Sequence, residues 1–216
     1  LIITSMHPPK GFTRKIHAYG GYHFHDVTTL RHAEKAIEAG VDGLVLVCSG
    51  AGGHAGQLSP FAFIKSVRHI FNGTIVLAGG ITTGQDVKAA QLMGADLAYI
   101  GTRFIATTEA NAVDEYKQML VDSKISDVIY TPEFTGVNAN FLKNSMYKLG
   151  INPNRVSPPQ YRSPNKLTLW WKHQKLKHIK KWKQLWSAGQ GVSNITDIIS
   201  VKSYINRLEN EYMKSG

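Results

Sequence analysis

The sequence predicts an α/β protein built on a parallel sheet, and three observations carry that expectation. Short apolar runs of strand length alternate with stretches of helical spacing as far as about residue 121. Turn-forming residues follow each strand candidate, and in the later units they are glycine clusters that precede a helix start. One of these clusters, Gly50-Ala51-Gly52-Gly53-His54-Ala55-Gly56, follows the buried-looking run Gly43–Val47 and carries a histidine. Strand, loop, helix, repeated, is the order a crossover-connected parallel sheet requires. A β/α barrel and an open doubly wound sheet both place ligand-binding loops at the strands' carboxyl ends, so the pattern leaves those two open.

The elements follow in order. Leu1 to Ser5 is a short apolar strand stopped by Pro8-Pro9. Phe12 to Tyr19 has the length of one short helix and ends at Gly20-Gly21, and Tyr22 to His25 is strand-like. Asp26 or Thr28 then caps a helix with Leu30, Ala33, Ala36 and Ile37 on one face and Gly40 at its end. After the Gly43–Val47 strand, Ser59 and Pro60 open a helix whose stripe is Phe63, Ile64, Val67, Ile70 and Phe71. Thr74 to Ala78 is a strand ending in Gly79-Gly80. Thr83 with Asp86 reads as a capping box for a helix through Val87, Ala90 and Met93, closed by Gly94. Leu97 to Ile100 is the fifth strand, ending in Gly101-Thr102-Arg103, and Asn111 to Val121 is a helix with Val113, Tyr116 and Leu120 on one side. Beyond residue 122 the alternation fades: Thr131 to Leu149 is mixed, Asn152 to Asn165 is loop-like, and Ile195 to Tyr212 returns to helical spacing.

The chain has 216 residues, enough for one domain with an extension, and 43% apolar content, enough for a sizeable core. A single cysteine, Cys48, excludes a disulfide framework and points to a reducing compartment, the cytoplasm. No apolar run approaches the roughly 20 residues of a membrane-spanning helix. The chain opens on Leu1 in a strand, which suggests a fragment. The formal net charge is +10, and seven lysines without an acid fall between Lys166 and Lys183, interleaved with Trp170, Trp171 and Trp182. Such a run binds nucleic acid or membrane in some proteins. The commoner arrangement is a helix with its apolar stripe packed and its lysines in water, and that reading is preferred, with no nucleic-acid or membrane partner expected.

Chemistry concentrates in the glycine loops. Glycine has no Cβ, so backbone there approaches a ligand closely. A histidine in such a loop titrates near pH 7 and transfers protons. His54 is therefore the candidate acid–base residue. Gly79-Gly80 and Gly101-Thr102-Arg103 each sit between a strand and a helix start, where backbone N–H groups and an arginine suit a phosphate. Ordinary turn chemistry explains them equally well. Cys48 reads as a small buried hydrophobe, not a nucleophile. His23 and His25 share a strand face, but no third ligand supports a metal site.

Ala51–Gly56, Val76–Ile81, Gly94-Ala95-Asp96 and Gly101–Phe104 resemble, in order and spacing, the nitronate monooxygenase family, formerly the 2-nitropropane dioxygenases. Trp186–Val192 resembles its C-terminal motif. The resemblance implies an FMN-binding TIM-type β/α barrel lacking its first three strands, with residues 1–106 as a partial barrel and 107–216 as a helical region packed on it. It implies that His54 is the catalytic base next to a nitro group. Gly52 and Gly53 would lie by the flavin. Gly79, Gly80, Gly101, Thr102 and Arg103 would hold its phosphate, with Gln190 closing the pocket. FMN is the expected cofactor, a nitronate or nitroalkane and O₂ the expected substrates, and nitrite and a carbonyl compound the products; a homodimer is left open. Many members carry glutamine where this chain has Val47. Two alternatives stand beside this reading: an FMN-dependent enoyl-acyl carrier protein reductase, and a non-catalytic remnant with a basic interaction helix.

Overall fold

The structure is a computed structural model that describes residues 1–159 and 183–215. Five strands, β1 (Ile2–Thr4), β2 (His23–Val27), β3 (Gly43–Val47), β5 (Thr74–Ala78) and β6 (Leu97–Tyr99), form one sheet in the order β1-β2-β3-β5-β6. Every pair is parallel. A separate two-residue strand, β4 (Gly53–His54), lies in the loop between β3 and β5. The order never reverses, whereas a doubly wound sheet must reverse at its switch point. With right-handed crossovers, unreversed order puts every helix on one face. This is an arc of singly wound barrel, which decides what the sequence pattern left open.

The crossover helices are α1 (Lys10–His17), α2 (Leu30–Glu38), α3 (Pro60–Arg68) and α4 (Gly84–Leu92). Ala33 and Ala36 of α2, Phe63, Ile64 and Val67 of α3, and Ala90 of α4 pack on Val27, Leu44, Leu46, Ile75 and Leu77 from the sheet's outer face. The opposite, concave face carries Phe24, Val45, Val76 and Ala78, with Val47 partly buried among them. Register explains this sorting. Val45 pairs with Val76 and Val47 with Ala78, and paired residues of parallel strands share a face. On the two outer strands Ile3, Leu97 and Tyr99 expose their side chains.

Helix signals fare unevenly. Thr83 and Asp86 form the full reciprocal capping box of α4. The cap of α2 is Thr29, not Asp26 or Thr28: β2 extends to Val27, so the first residue able to accept the His32 N–H is Thr29, at 3.2 Å. Gly40 and Gly94 take positive φ at the ends of α2 and α4, as a left-handed C-terminal cap requires. The helix expected from Asn111 is α6 (Asp114–Asp122), beginning after Val113.

After the short helix α5 (Thr102–Ile105) and α6, the stretch that read as mixed is a β-hairpin followed by a helix. Strands β7 (Val128–Thr131) and β8 (Ala139–Leu142) pair antiparallel, and β4 joins β8 on its other edge. Helix α7 (Lys143–Lys148) follows directly. Phe134, Phe141, Met146 and Leu185 form the hairpin's own core. The chain ends with a 3-10 turn, Gln190–Asn194, and α8 (Val201–Lys214), which packs along α4. No described helix is long and apolar enough to cross a membrane.

Candidate functional site

A cavity of about 720 Å³ opens at the carboxyl ends of the parallel strands. The loop after β1 contributes Ser5–Pro9, the end of β2 Asp26 and Thr28, and the loop after β3 Gly50, Gly52 and His54. Gly79–Thr82 follow β5, Gly101 and Thr102 follow β6, and Ser187, Gly189 and Gly191 come from near the C-terminus. Within the first loop Met6 holds φ 69°, a left-handed conformation uncommon for a side-chain-bearing residue.

Three segments distant in sequence lock together under this cavity. The Gly50 carbonyl accepts the N–H groups of Gly80 (3.1 Å) and Gln190 (2.9 Å). Thr102 Oγ1 accepts the Gly189 N–H at 2.9 Å. A Cβ on Gly52 would stand 2.8 Å from the Gly189 nitrogen and 2.9 Å from Thr102 Oγ1, so only glycine lets the C-terminal segment cross here. At Gly80 and Gly101, by contrast, a Cβ would meet nothing within 4 Å. Both line the cavity. Their missing side chains therefore leave space open to a ligand.

His54 sits half-buried on the cavity wall. The chain on either side of it is gripped by the hairpin. Gly53 and His54 pair with Asn140 and Ala139, Ala55 N donates to the Asn138 carbonyl, and Tyr130 Oη donates to the Ala55 carbonyl at 2.6 Å. Buried Asn140 donates through Nδ2 to the carbonyls of Ser49 (3.0 Å) and Ala51 (2.7 Å), which fixes the loop's path. His54 Nε2 lies 3.3 Å from Thr135 Oγ1. Burial lowers the pKa of His54 below the ordinary histidine value, so the ring is neutral at pH 7.

Of the residues singled out from sequence, Gly52, His54, Gly79, Gly80, Gly101 and Thr102 line the cavity together. Gly53, Arg103 and Gln190 do not line it. Gly53 takes φ 70° and starts β4. The Arg103 guanidinium, expected to reach a phosphate, is turned into the protein. It donates to the Ala106 carbonyl (2.8 Å) and Asp197 Oδ1 (2.6 Å) and stacks on the Tyr204 ring at 4.8 Å. The Gln190 side chain is exposed, and its backbone N–H makes the contact to Gly50. Cys48 is fully buried, and desolvation pushes its thiol up to about 12, which fits the structural reading. His23 Nε2 and His25 Nδ1 both bond to Thr4 Oγ1 at 2.7 Å. Most of the Lys166–Lys183 run lies outside the described residues. Val47 lines the cavity with an apolar side chain that makes no polar contact.

Sequence reading missed Asn140, Tyr130 and Thr135, which support the His54 loop, and Asp26, which faces the cavity. Nothing local marks the first three. Their roles exist only because a hairpin some 80 residues later packs on the loop, as the His54–Thr135 separation of 81 shows. In the sequence Asp26 reads, with Thr28, as one of two candidate helix caps, because an Asp before a helical stretch usually is one.

The family model described as nitronate monooxygenase matches residues 1–211. A probable nitronate monooxygenase of Bacillus subtilis is 29% identical over 96% of this chain, which spans 62% of that relative's length. Among solved structures, the nitroalkane oxidase of Streptomyces ansochromogenes superposes with a TM-score of 0.75 at 26% identity, covering 100% of this chain and 65% of its own. FabK from Thermotoga maritima gives 0.79 at 22%, covering 99% of this chain and 68% of its own, and shows a likeness of fold.

Proposed function

The chain belongs to the nitronate monooxygenase family, and from that membership we propose that its cavity binds FMN and serves the oxidative denitrification of alkyl nitronates and nitroalkanes with O₂. The observation that carries the proposal is His54: a half-buried imidazole, its pKa lowered by burial, on the wall of a glycine-lined cavity at the barrel's active face. A neutral histidine takes a proton from carbon, and a nitro group makes the adjacent C–H acidic enough for that transfer.

The glycine loops fit a flavin phosphate. Gly80 and Gly101 leave space where side chains would otherwise stand. The Thr102 hydroxyl accepts the Gly189 N–H, so its own proton is left to donate to a phosphate oxygen. The first N–H groups of α5, at Thr102 and Arg103, have no acceptor within their helix. Arg103 therefore contributes to such a site through its backbone, and its guanidinium serves the fold. Gly79 sets the path of its loop, Gly53 sets the direction of the His54 backbone, and Gln190 holds the loops together through its N–H. When bound, a flavin supplies the two-electron oxidant that O₂ regenerates. What this chain's residues add is deprotonation at His54, positioning by the loops, and an apolar wall at Val47 and Ala78. The lone buried thiol supports a reducing compartment, the cytoplasm.

The test is nitrite release with O₂ uptake from nitroethane and from preformed ethyl nitronate. His54→Asn is expected to retain FMN and to lower turnover of neutral nitroethane by about 10²–10⁴-fold, the usual worth of a positioned base. Turnover of the preformed nitronate, which needs no deprotonation, falls less. Unchanged nitroethane turnover removes His54 as the base. Oxidation of NAD(P)H that depends on an enoyl thioester, without nitrite release, favours the enoyl reductase alternative.

A further inference from the structure

The cavity reaches beyond the loops that follow β5 and β6. Its wall also includes His7 from the loop after β1, His25 from β2, and His32 and Lys35 from α2. Strand pairing sets His25 beside Leu44 and Asp26 beside Val45. Leu44 packs in the outer layer and Val45 on the concave face, so His25 stands on the outer side of the sheet. The cavity therefore turns round the end of β2 into a lobe between the sheet and α2. In the sheet β2 lies two strands from β5 and three from β6, about 10 and 14 Å at the usual strand spacing.

The floor of this lobe is His25, 6% exposed, and a chain of hydrogen bonds fixes its ring. Thr13 Oγ1 reaches the Pro9 carbonyl (3.3 Å) and His23 Nδ1 (2.9 Å). Thr4 Oγ1 reaches His23 Nε2 and His25 Nδ1, both at 2.7 Å. Burial lowers the pKa of both histidines, which favours one proton on each ring. A hydroxyl gives one proton and a carbonyl gives none. One assignment then makes all four bonds together. Thr13 donates to the Pro9 carbonyl, His23 Nδ1 to Thr13, Thr4 to His23 Nε2, and His25 Nδ1 to Thr4. His25 Nε2 is left as an acceptor. It is not sealed in, since Asp26 Oδ1 and Asn138 Oδ1 are the buried side-chain polar atoms without a hydrogen bond among the described residues. The rim supplies the opposite character. Lys35, His32 and His7 are exposed there, and His32 stands in the first turn of α2, where an anion is favoured. The wall's carboxylate, Asp26, faces the concave side, away from this lobe.

We propose that the lobe binds a phosphate monoester at a site separate from the glycine loops, with Lys35, His32 and His7 on its anionic oxygens and His25 Nε2 accepting its P–OH proton. The donor and acceptor set chooses phosphate over carboxylate. A phosphate monoester has its second pKa near 6, so around neutral pH a share of it carries both charge and a proton to give. A carboxylate offers acceptors alone and would set one against the bare nitrogen. The proposal goes beyond the flavin reading and does not depend on it. The charged and titrating groups round His25 are His23, His32, Lys35 and His7, with the His17–Asp42 pair behind His23. One proton is shared across the contact, so phosphate affinity falls above pH 7 by up to about tenfold per pH unit.

The test is a titration of the FMN-saturated, ¹⁵N-labelled protein with inorganic phosphate at pH 7, and with acetate for comparison. FMN occupies the glycine loops, which leaves the lobe to the added anion. Saturable shifts of the His25 and His32 ring signals are expected with phosphate, and none at His25 with acetate. The two signals are assigned by their loss in His25→Gln and His32→Gln. Lys35→Ala, an exposed change that leaves the core intact, should weaken phosphate binding about tenfold, the worth of one hydrogen bond to a charged group. No saturable shift at His25, an equal response to acetate, or undiminished affinity in Lys35→Ala overturns the proposal. So do shifts confined to the amides of Gly80, Gly101 and Thr102, which would put phosphate in the glycine loops. Failure of FMN to bind counts against the flavin reading alone, because His25 and His32 report on the lobe in the flavin-free protein as well.

Discussion

Asp26 shows at the residue scale what burial does to a group that the sequence presents as ordinary. It stands near the carboxyl end of β2 and lines the cavity, with Oδ1 sealed from solvent and without a hydrogen-bond partner among the described residues. Desolvation raises its pKa, and a hydrogen bond from the Ser5 side chain opposes that only in part. A carboxyl with a raised native pKa binds its proton more tightly folded than unfolded. Its contribution to stability therefore falls as pH rises from the usual carboxylate value through the native one, and stays lost above it. Asp26→Asn removes the charge and should raise stability at pH 7 by on the order of 1 kcal/mol, the scale of a poorly satisfied buried polar group. Urea unfolding checks this at pH 7 and again at pH 3, where both states of the natural protein are protonated and the gain should shrink towards zero. An equal gain at both pH values would mean that charge is not the cause. His54 could be found from sequence because four glycines between Gly50 and Gly56 announce a loop that touches something. Thr135 and Asp26 carry no such local mark. A threonine before glycine reads as a turn, and an aspartate before a helix reads as a cap.

Among the elements, β3 and β5 have the bounds the sequence suggests, Gly43–Val47 and Thr74–Ala78, because a fully buried parallel strand is a continuous apolar run flanked by turn residues. The hairpin was illegible for the converse reason. β7 and β8 are four residues each, and Ala139–Leu142 is buried throughout, so no alternation appears. Its pairing with β4 spans two residues and follows from no local propensity. Its effect on the site is nonetheless large, because Asn140 satisfies two carbonyls of the glycine loop at once. Asn140→Ala leaves both carbonyls without that donor in a buried setting and is expected to cost about 1–3 kcal/mol. Amide exchange at Ala51–His54 should quicken while exchange within β3 and β5 holds, since those strands keep their own ladder. Uniform acceleration across the sheet would show instead that Asn140 supports the global fold and not the loop in particular.

Over the whole molecule, one set of charges ties the sheet to the C-terminal region that completes the cavity wall. The resemblance made a barrel legible, and the unreversed strand order β1-β2-β3-β5-β6 gives the physical reason for it. Sequence alone hides this clamp, because an arginine after Gly-Thr at a helix start looks like a phosphate ligand, while its partner Asp197 lies 94 residues away. Arg103 is 2% exposed, and Asp197 bridges it to Arg207, which bonds Asp197 Oδ2 at 2.7 Å from α8. Tyr204 on the same helix stacks under Arg103 and donates to the Thr82 carbonyl at 2.9 Å, and Thr82 itself lines the cavity. The two ion pairs are unequal in kind. Removing Asp197 leaves a buried guanidinium with the Ala106 carbonyl as its one hydrogen-bond acceptor among the described residues and no counter-charge beside it, so Asp197→Ala should cost about 3 kcal/mol. Arg207 is 40% exposed on its side chain, and Arg207→Ala should cost about 1 kcal/mol or less. The two variants also differ at the cavity. Gly189 and Gly191 line the cavity a few residues ahead of Asp197 in the chain, and Gly189 N bonds Thr102 beside Arg103, so loosening the C-terminal region is expected to open the wall. Asp197→Ala is therefore expected to weaken the proposed FMN binding, read as loss of flavin fluorescence quenching on titration, at a denaturant concentration that leaves Arg207→Ala unaffected. Equal flavin affinity in the two variants would place the C-terminal region outside the cofactor's support, and would leave the fit of Gly80, Gly101 and Thr102 to stand on the sheet loops alone.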